Sequence, residues 1–280
     1  MINGSSSNAA RQPVLFVSHG APTFALQPGI AGAHLTALGR ALNKPEAVLV
    51  VSPHWRSQHL RIAGTTQPQT IHDFAGFPDE LYNLRYPAPG APAFAELTIR
   101  LLQAAGYKAE LDMQQGLDHG AWIPMQYLFP QAVVPVFQVS MPHDLNSLSA
   151  LALGHSLASL ADEGVLIIGS GSLTHNLYEF QMDETFTGPG GEVQPAPAYV
   201  DEFVSWVRKQ VTSGKHDQLV RALVIAPHAT RTHPSPEHFL PLLVAAGAAG
   251  QAAHVTVLNG GVTHKILSME SYAFGLPLLR

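Results

Sequence analysis

The chain has 280 residues, 46% of them hydrophobic and only 12% charged, with a formal net charge of −5. This is the composition of a globular protein with a sizeable core, and its acidic balance offers no electrostatic footprint for nucleic acid or an anionic membrane. There is no cysteine, which excludes disulfides, thiolate nucleophiles and sulfur-ligated metal, whereas histidines number fifteen, as many as Lys and Arg together.

Residues 1–12 (MINGSSSNAARQ) are small and polar, without the apolar region of a signal peptide, and are expected to be disordered or loosely ordered ahead of a single domain, 13–280. No later stretch is long and apolar enough to span a bilayer, so a cytoplasmic location is expected. VLFV (14–17) reads as a strand and leads into Ser18-His19-Gly20; helical spacing follows over 30–42. VLVV (48–51) reads as a strand buried on both faces and leads into Ser52-Pro53-His54-Trp55. Pro53 cannot donate to a ladder, so the strand is expected to stop there. HDFAGFP (72–78) and YPAPG (86–90) are aromatic and turn-rich, and read first as packing loops, with pocket walls as the alternative. A helix is expected over 91–105. In DHGAW (118–122), Asp118 either orients His119 for acid–base work or caps a helix beginning near Ala121.

VVPVFQVS (133–140) is the next strand, leading into Met141-Pro142-His143, and helical spacing returns over 147–162. VLIIG (165–169) then leads into SGSLTHN, which contains His175. The Gly/Pro-rich stretch 187–197 reads as a surface loop and 198–212 as a helix. In HATRTHPSPEH (228–238), Ser235 and Pro236 read as N-cap and first residue of a helix over 237–249, after His228 and His233. Glu237 and His238 would then lie about 100° apart around the axis, so only one of them faces a shared ion. HVTVL (254–258) is the last expected strand.

Strand alternating with helix predicts an α/β domain with a central, mostly parallel (mixed) sheet flanked by helices. Ligands in such sheets sit beyond the carboxyl ends of the strands. His19, His54 and His175 fall at that edge, with His143 a fourth candidate, and imidazoles gathered there suit a zinc or non-haem iron(II) ion. His34, His59, His155, His216, His254 and His264 read as structural. Each histidine taken singly has a plainer reading, a loop residue donating to a backbone carbonyl.

SHGAP, SPHW, IHDFAGFPDELYNLRYPAPG, GLDHGAWIPM, LIIGSGSLTHNL and HPSPEHFLPLL occur in an order and spacing that resembles the class III extradiol ring-cleavage dioxygenases, in the DOPA 4,5-dioxygenase-like branch. The resemblance runs from about residue 14 to the C-terminus. It implies an α/β fold with one divalent ion, Fe(II) or Zn(II), at the sheet's edge, and a small aromatic diol and O₂ as reactants. By position it implies His19, His54 and His238 as metal ligands, His175 as a catalytic base or further metal contact, and His119 as a second pocket histidine with Asp118 beside it. An all-histidine set departs from the 2-His-1-carboxylate triad usual for iron oxygenases, and Glu237 is the carboxylate alternative to His238. Trp55, Phe74, Phe77, Tyr82 and Tyr86 are the candidate walls for an aromatic ring. Two other readings stand beside this one: a zinc-dependent hydrolase using the same histidines, and a non-enzymatic binding protein on the same fold. A homo-oligomer is left open.

Overall fold

A computed structural model describes residues 10–182 and 196–276. Its elements run β1 (Val14–Ser18), α1 (Gly29–Ala41), β2 (Ala47–Ser57), β3 (Leu60–Ala63), α2 (Asp79–Asn83), α3 (Pro92–Ala104), β4 (Ala109–Asp112), α4 (His119–Leu128), β5 (Val136–Pro142) and α5 (Ser147–Leu157). After these come β6 (Val165–Gly171), α6 (Ala198–Thr212), α7 (His216–Val220), α8 (Ala222–Ile225), α9 (Ala229–Thr232), α10 (Leu240–Ala249), β7 (Val255–Leu258), β8 (Val262–Thr263), β9 (Leu267–Ser268) and β10 (Ser271–Phe274).

One sheet has the strand order β4-β3-β5-β2-β6-β1-β10-β7, and β8 and β9 form a separate hairpin. The inner strands β5, β2, β6 and β1 are parallel, whereas β10 and β7 add antiparallel at one edge and β3 joins β5 antiparallel at the other. The uninterrupted aliphatic runs have a direct cause. Leu49, Val51 and Ile167 enter one core, while their neighbours Val48, Val50 and Ile168 enter the other. Both faces are dry, so no polar alternation survives. α1 and α4 cover one face through Leu35, Leu38, Trp122 and Met125. α3, α5, α6 and α10 cover the other through Leu102, Leu153, Phe203 and Leu243.

Several expectations are corrected in detail. β2 does not stop at Pro53 but continues to Ser57. Its ladder with β5 is interrupted between Val51 and Arg56, so residues 52–55 bulge out and the missing proline N–H costs no ladder bond. The helix expected from 237 begins at Leu240, and Ser235 is not its cap but donates to Glu237 Oε1 at 2.8 Å. The run 147–162 is helical only to Leu157 and then tightens into a 3₁₀ turn. HVTVL forms β7, at the antiparallel edge. β3, β4 and β10 were not expected. The loop expected at 187–197 lies outside the described residues except for 196 and 197. Of the segment 1–12, residues 1–9 lie outside them, while Gln12 is buried and its N–H donates to Ala161 O at 3.0 Å.

The segment leading to α10 is pinned from below by a core histidine. His233 is buried between Phe203 and Phe239, with ring centroids 5.6 and 5.4 Å away, and its Nε2–H donates to Leu173 O at 3.0 Å. Its Nδ1 is buried without a hydrogen-bond partner, so the ring folds only as neutral imidazole, and burial lowers its pKa to about 4. The unfolded chain takes up this proton near pH 6.5 and the folded chain only near 4, so the contribution is complete above pH 6.5 and is lost as pH falls between the two. Urea melts should show stability falling by roughly 1.4 kcal/mol per pH unit from this residue, about 3 kcal/mol in all, and His233→Gln should have a shallower pH slope by about one proton.

Candidate metal centre

Each histidine reaches the carboxyl edge of the sheet by a different local device. β1 ends at Ser18, and the next N–H, from His19, still donates to Gly171 O on β6 at 2.9 Å. His54 rides on the bulge of β2, where its N–H donates to Ser52 Oγ at 3.3 Å. His119 opens α4, whose N-cap is Asp118. His175 follows β6 and is held by its N–H donating to Thr232 O at 2.9 Å. His238 is tied to the sheet by Ser172 N–H donating to its carbonyl at 2.9 Å. That carbonyl lies 2.3 Å from where a Cβ on Gly171 would stand, so only glycine lets the chain press so close.

These devices bring His19, His54 and His238 together, with ligating nitrogens all within 4.8 Å of one another. Nε2 of His19 lies 3.1 Å from Nε2 of His54. Two imidazoles on one first-row ion at about 2.0–2.1 Å each would stand ~3 Å apart, so the donor set fits a single divalent ion. His175 stacks on His238, rings 3.6 Å apart and 6° from parallel. Glu237 accepts from Ser235 and lies 3.3 Å from Nδ1 of His238; it groups with His175 and His238, not with His19 and His54. The structure thus brings His238, rather than Glu237, to the other two histidines.

The protonation of His19 can be read from its surroundings. Ser170 donates its hydroxyl hydrogen to Gly120 O, so its oxygen, 3.0 Å from Nδ1 of His19, accepts there. Nδ1 carries the hydrogen and Nε2 keeps the bare lone pair that ligation requires. Burial, and then the neighbouring rings His54, His119 and His238, hold the pKa of His19 well below the usual histidine range. Burial, then His175 and His54, do the same to His238, and burial also lowers His54 and His175. A nest of uncharged imidazoles is therefore the resting state, and it is the form that binds metal.

Of the two expectations for Asp118, the structure shows the cap. Its carboxylate accepts from Ala121 N–H at 3.1 Å, Ser52 Oγ at 2.8 Å and Gln138 Nε2 at 2.7 Å. Burial, with Asp73 nearby, raises its pKa. The carboxylate that meets His119 is Asp73, which the sequence reading missed. Asp73 Oδ2 lies 2.9 Å from Nδ1 of His119 and 3.4 Å from Nδ1 of His54, and Oδ1 accepts the His119 N–H at 2.9 Å. Burial alone would raise the Asp73 carboxyl, but the His119 hydrogen bond and ring outweigh it and hold it low. The signal was the position of Asp73 inside IHDFAGFP, a motif read only for its aromatics.

Among the candidate walls, Phe74 stands edge-on to His119 at 5.6 Å and continues into Phe77 and Tyr82 at 5.6 and 5.3 Å. Trp55 and Tyr86 are buried packing residues, Tyr86 donating its hydroxyl to Phe129 O at 2.8 Å. His143 lies in none of the metal-competent groups found among the described residues, and His228 pairs with Glu202 at 2.9 Å.

Residues 16–275 match the family model described as the catalytic LigB subunit of aromatic ring-opening dioxygenase. A Beta vulgaris protein named 4,5-DOPA dioxygenase extradiol is 37% identical, over 97% of this chain and 98% of its own. An Escherichia coli K12 protein of the same name is 34% identical over 96% of each chain. The crystal structure of an uncharacterized Escherichia coli K12 protein, 30% identical, superposes with a TM-score of 0.76 over 95% of this chain and all of the other. The chain belongs to the LigB family, the metal-dependent class III extradiol ring-cleavage dioxygenases, in the branch whose members are named 4,5-DOPA dioxygenase.

Proposed function

We propose that this extradiol dioxygenase opens a catechol carrying a DOPA-like side chain, with iron(II) held by His19, His54 and His238. The observation that carries this reading is the convergence of three uncharged imidazoles, two buried and one half-buried, at the sheet's carboxyl edge beside an aromatic wall. The DOPA-like side chain rests on the names of the relatives from Beta vulgaris and Escherichia coli. Zinc accepts the same donors, but dioxygen chemistry requires an ion that can change its redox state, which zinc cannot. Family membership favours neither the hydrolase nor the binding-protein reading.

When bound, iron(II) would supply Lewis acidity that lowers the pKa of a diol hydroxyl, together with redox reactivity toward O₂. The chain's own groups do the rest. His175, kept neutral by burial, takes the hydroxyl proton at its unprotonated ring nitrogen and returns it later in the reaction. Its stack on His238 places that base against one of the three proposed ligands. His119 hydrogen-bonds an oxygen of the diol or of dioxygen. Phe74, Phe77 and Tyr82 present an apolar edge to the ring and exclude water from it.

Anaerobic reconstitution with iron(II), followed by a panel of catechols and then oxygen, should give oxygen uptake matched to catechol loss and a yellow ring-opened semialdehyde. Retained iron with no oxygen uptake on any catechol would overturn the proposal. Two substitutions separate the roles. His238→Ala should lose stoichiometric iron in equilibrium dialysis. His175→Gln should keep its iron while kcat falls by ~10²- to 10⁴-fold, the usual share of a general base.

A further inference from the structure

We infer that Asp73 is a positioning residue for the pocket histidine His119, fixing its ring orientation and holding a ring hydrogen on Nδ1. A carboxylate can only accept hydrogen bonds. Its Oδ2 accepts a hydrogen bond from Nδ1 of His119 at 2.9 Å, so that ring carries a hydrogen on Nδ1, whereas Nδ1 of His54, 3.4 Å from the same oxygen, is in ion-pair range without a hydrogen bond. The two rings are held side by side, with centroids 3.9 Å apart. The other carboxylate oxygen accepts the His119 backbone N–H at 2.9 Å, one of the orphan donors at the start of α4, and this fixes which oxygen meets the rings.

With a hydrogen held on Nδ1 by Asp73, Nε2 is the ring atom of His119 left to meet an oxygen of the diol or of dioxygen. This part rests on the proposed function, whereas the Nδ1 hydrogen does not. Asp73, His54 and His119 also form a group of atoms close enough to hold an ion themselves. The Nδ1 hydrogen of His119 argues against that use, because an Nδ1 that donates to a carboxylate has no lone pair to give.

The test is the isosteric variant Asp73→Asn. Its amide oxygen would stay on the His119 N–H, and its NH₂ would face Nδ1 of His119 as a donor, driving that ring to the Nε2–H form. Long-range ¹⁵N–¹H NMR of the metal-free wild-type protein at neutral pH should show Nδ1–H for His119, and the variant should show Nε2–H alone. In the iron-loaded enzyme the same change should lower kcat by ~10²- to 10⁴-fold with KM within a few-fold, as tautomer reversal does beside other catalytic histidines. Iron affinity should stay within a few-fold, because His119 is not one of the three proposed ligands. A His119 ring lacking Nδ1–H in the wild type would overturn the inference, and that spectrum does not depend on the variant folding or on any catechol being turned over. Iron loss as complete as in His238→Ala would overturn it too, by making Asp73 a ligand.

Discussion

The hydroxyl of Ser170 is where the centre is tied together. It sits on β6, gives its hydrogen to Gly120 O in the first turn of α4, and faces Nδ1 of His19 at the end of β1. Strand, neighbouring strand and covering helix meet at one oxygen, which also decides which nitrogen of His19 is bare. The packing allows no slack there. A Cβ at Gly120 would stand 2.5 Å from Ser52 Oγ and 3.2 Å from Nδ1 of His19. A glycine, a serine and a histidine far apart in the chain are therefore geometrically a single unit.

Beneath this unit lies a second polar hub, Asp118. Its carboxylate is buried, yet it is saturated by Ser52 of β2, Gln138 of β5 and the N-terminus of α4, and its own N–H donates to Gln138 Oε1 at 3.1 Å. Such groups are costly to bury unless hydrogen-bonded, and here three donors meet the two carboxylate oxygens. The hub fixes α4 against β2 and β5, and so fixes where His119 stands. Above it, burial keeps His19, His54, His175 and His238 uncharged, so these four rings can crowd together without mutual repulsion. The fold thus supplies in advance the deprotonated donors that a divalent ion would otherwise have to create by displacing protons.

What could be read along the chain was whatever depends on local chemistry. The runs VLFV, VLVV, VFQVS and VLIIG announce strands because both faces of the inner sheet are dry. The outer strands β3, β4 and β10 were not legible: each has only four residues, and their pairing is decided by distant partners. The helix before α10 was placed too early because Ser-Pro-Glu has the local form of a helix start. Here residues 234–239 instead form bends and a turn, held by contacts to Gly171, Ser172 and Leu173. Pro53 was read correctly as incompatible with a ladder, but a bulge, which local sequence does not specify, lets the strand resume beyond it.

The site divides the same way. His19, His54, His175 and His238 could be named beforehand because imidazoles past strand ends are rare enough to notice, and their motifs resemble a known family. Asp73 could not, because an aspartate in a turn-rich loop is common and its partners are His54 and His119, the second 46 residues away. The choice between Glu237 and His238, and the choice between cap and orienting group for Asp118, were likewise open. The sequence by itself determined a mixed, largely parallel sheet and the family's set of histidines, since apolar runs and residue types are local properties. Only the tertiary structure decided which nitrogens converge, which carboxylate touches which ring, and which tautomers result, because each of these is a distance between residues that the chain brings together only on folding.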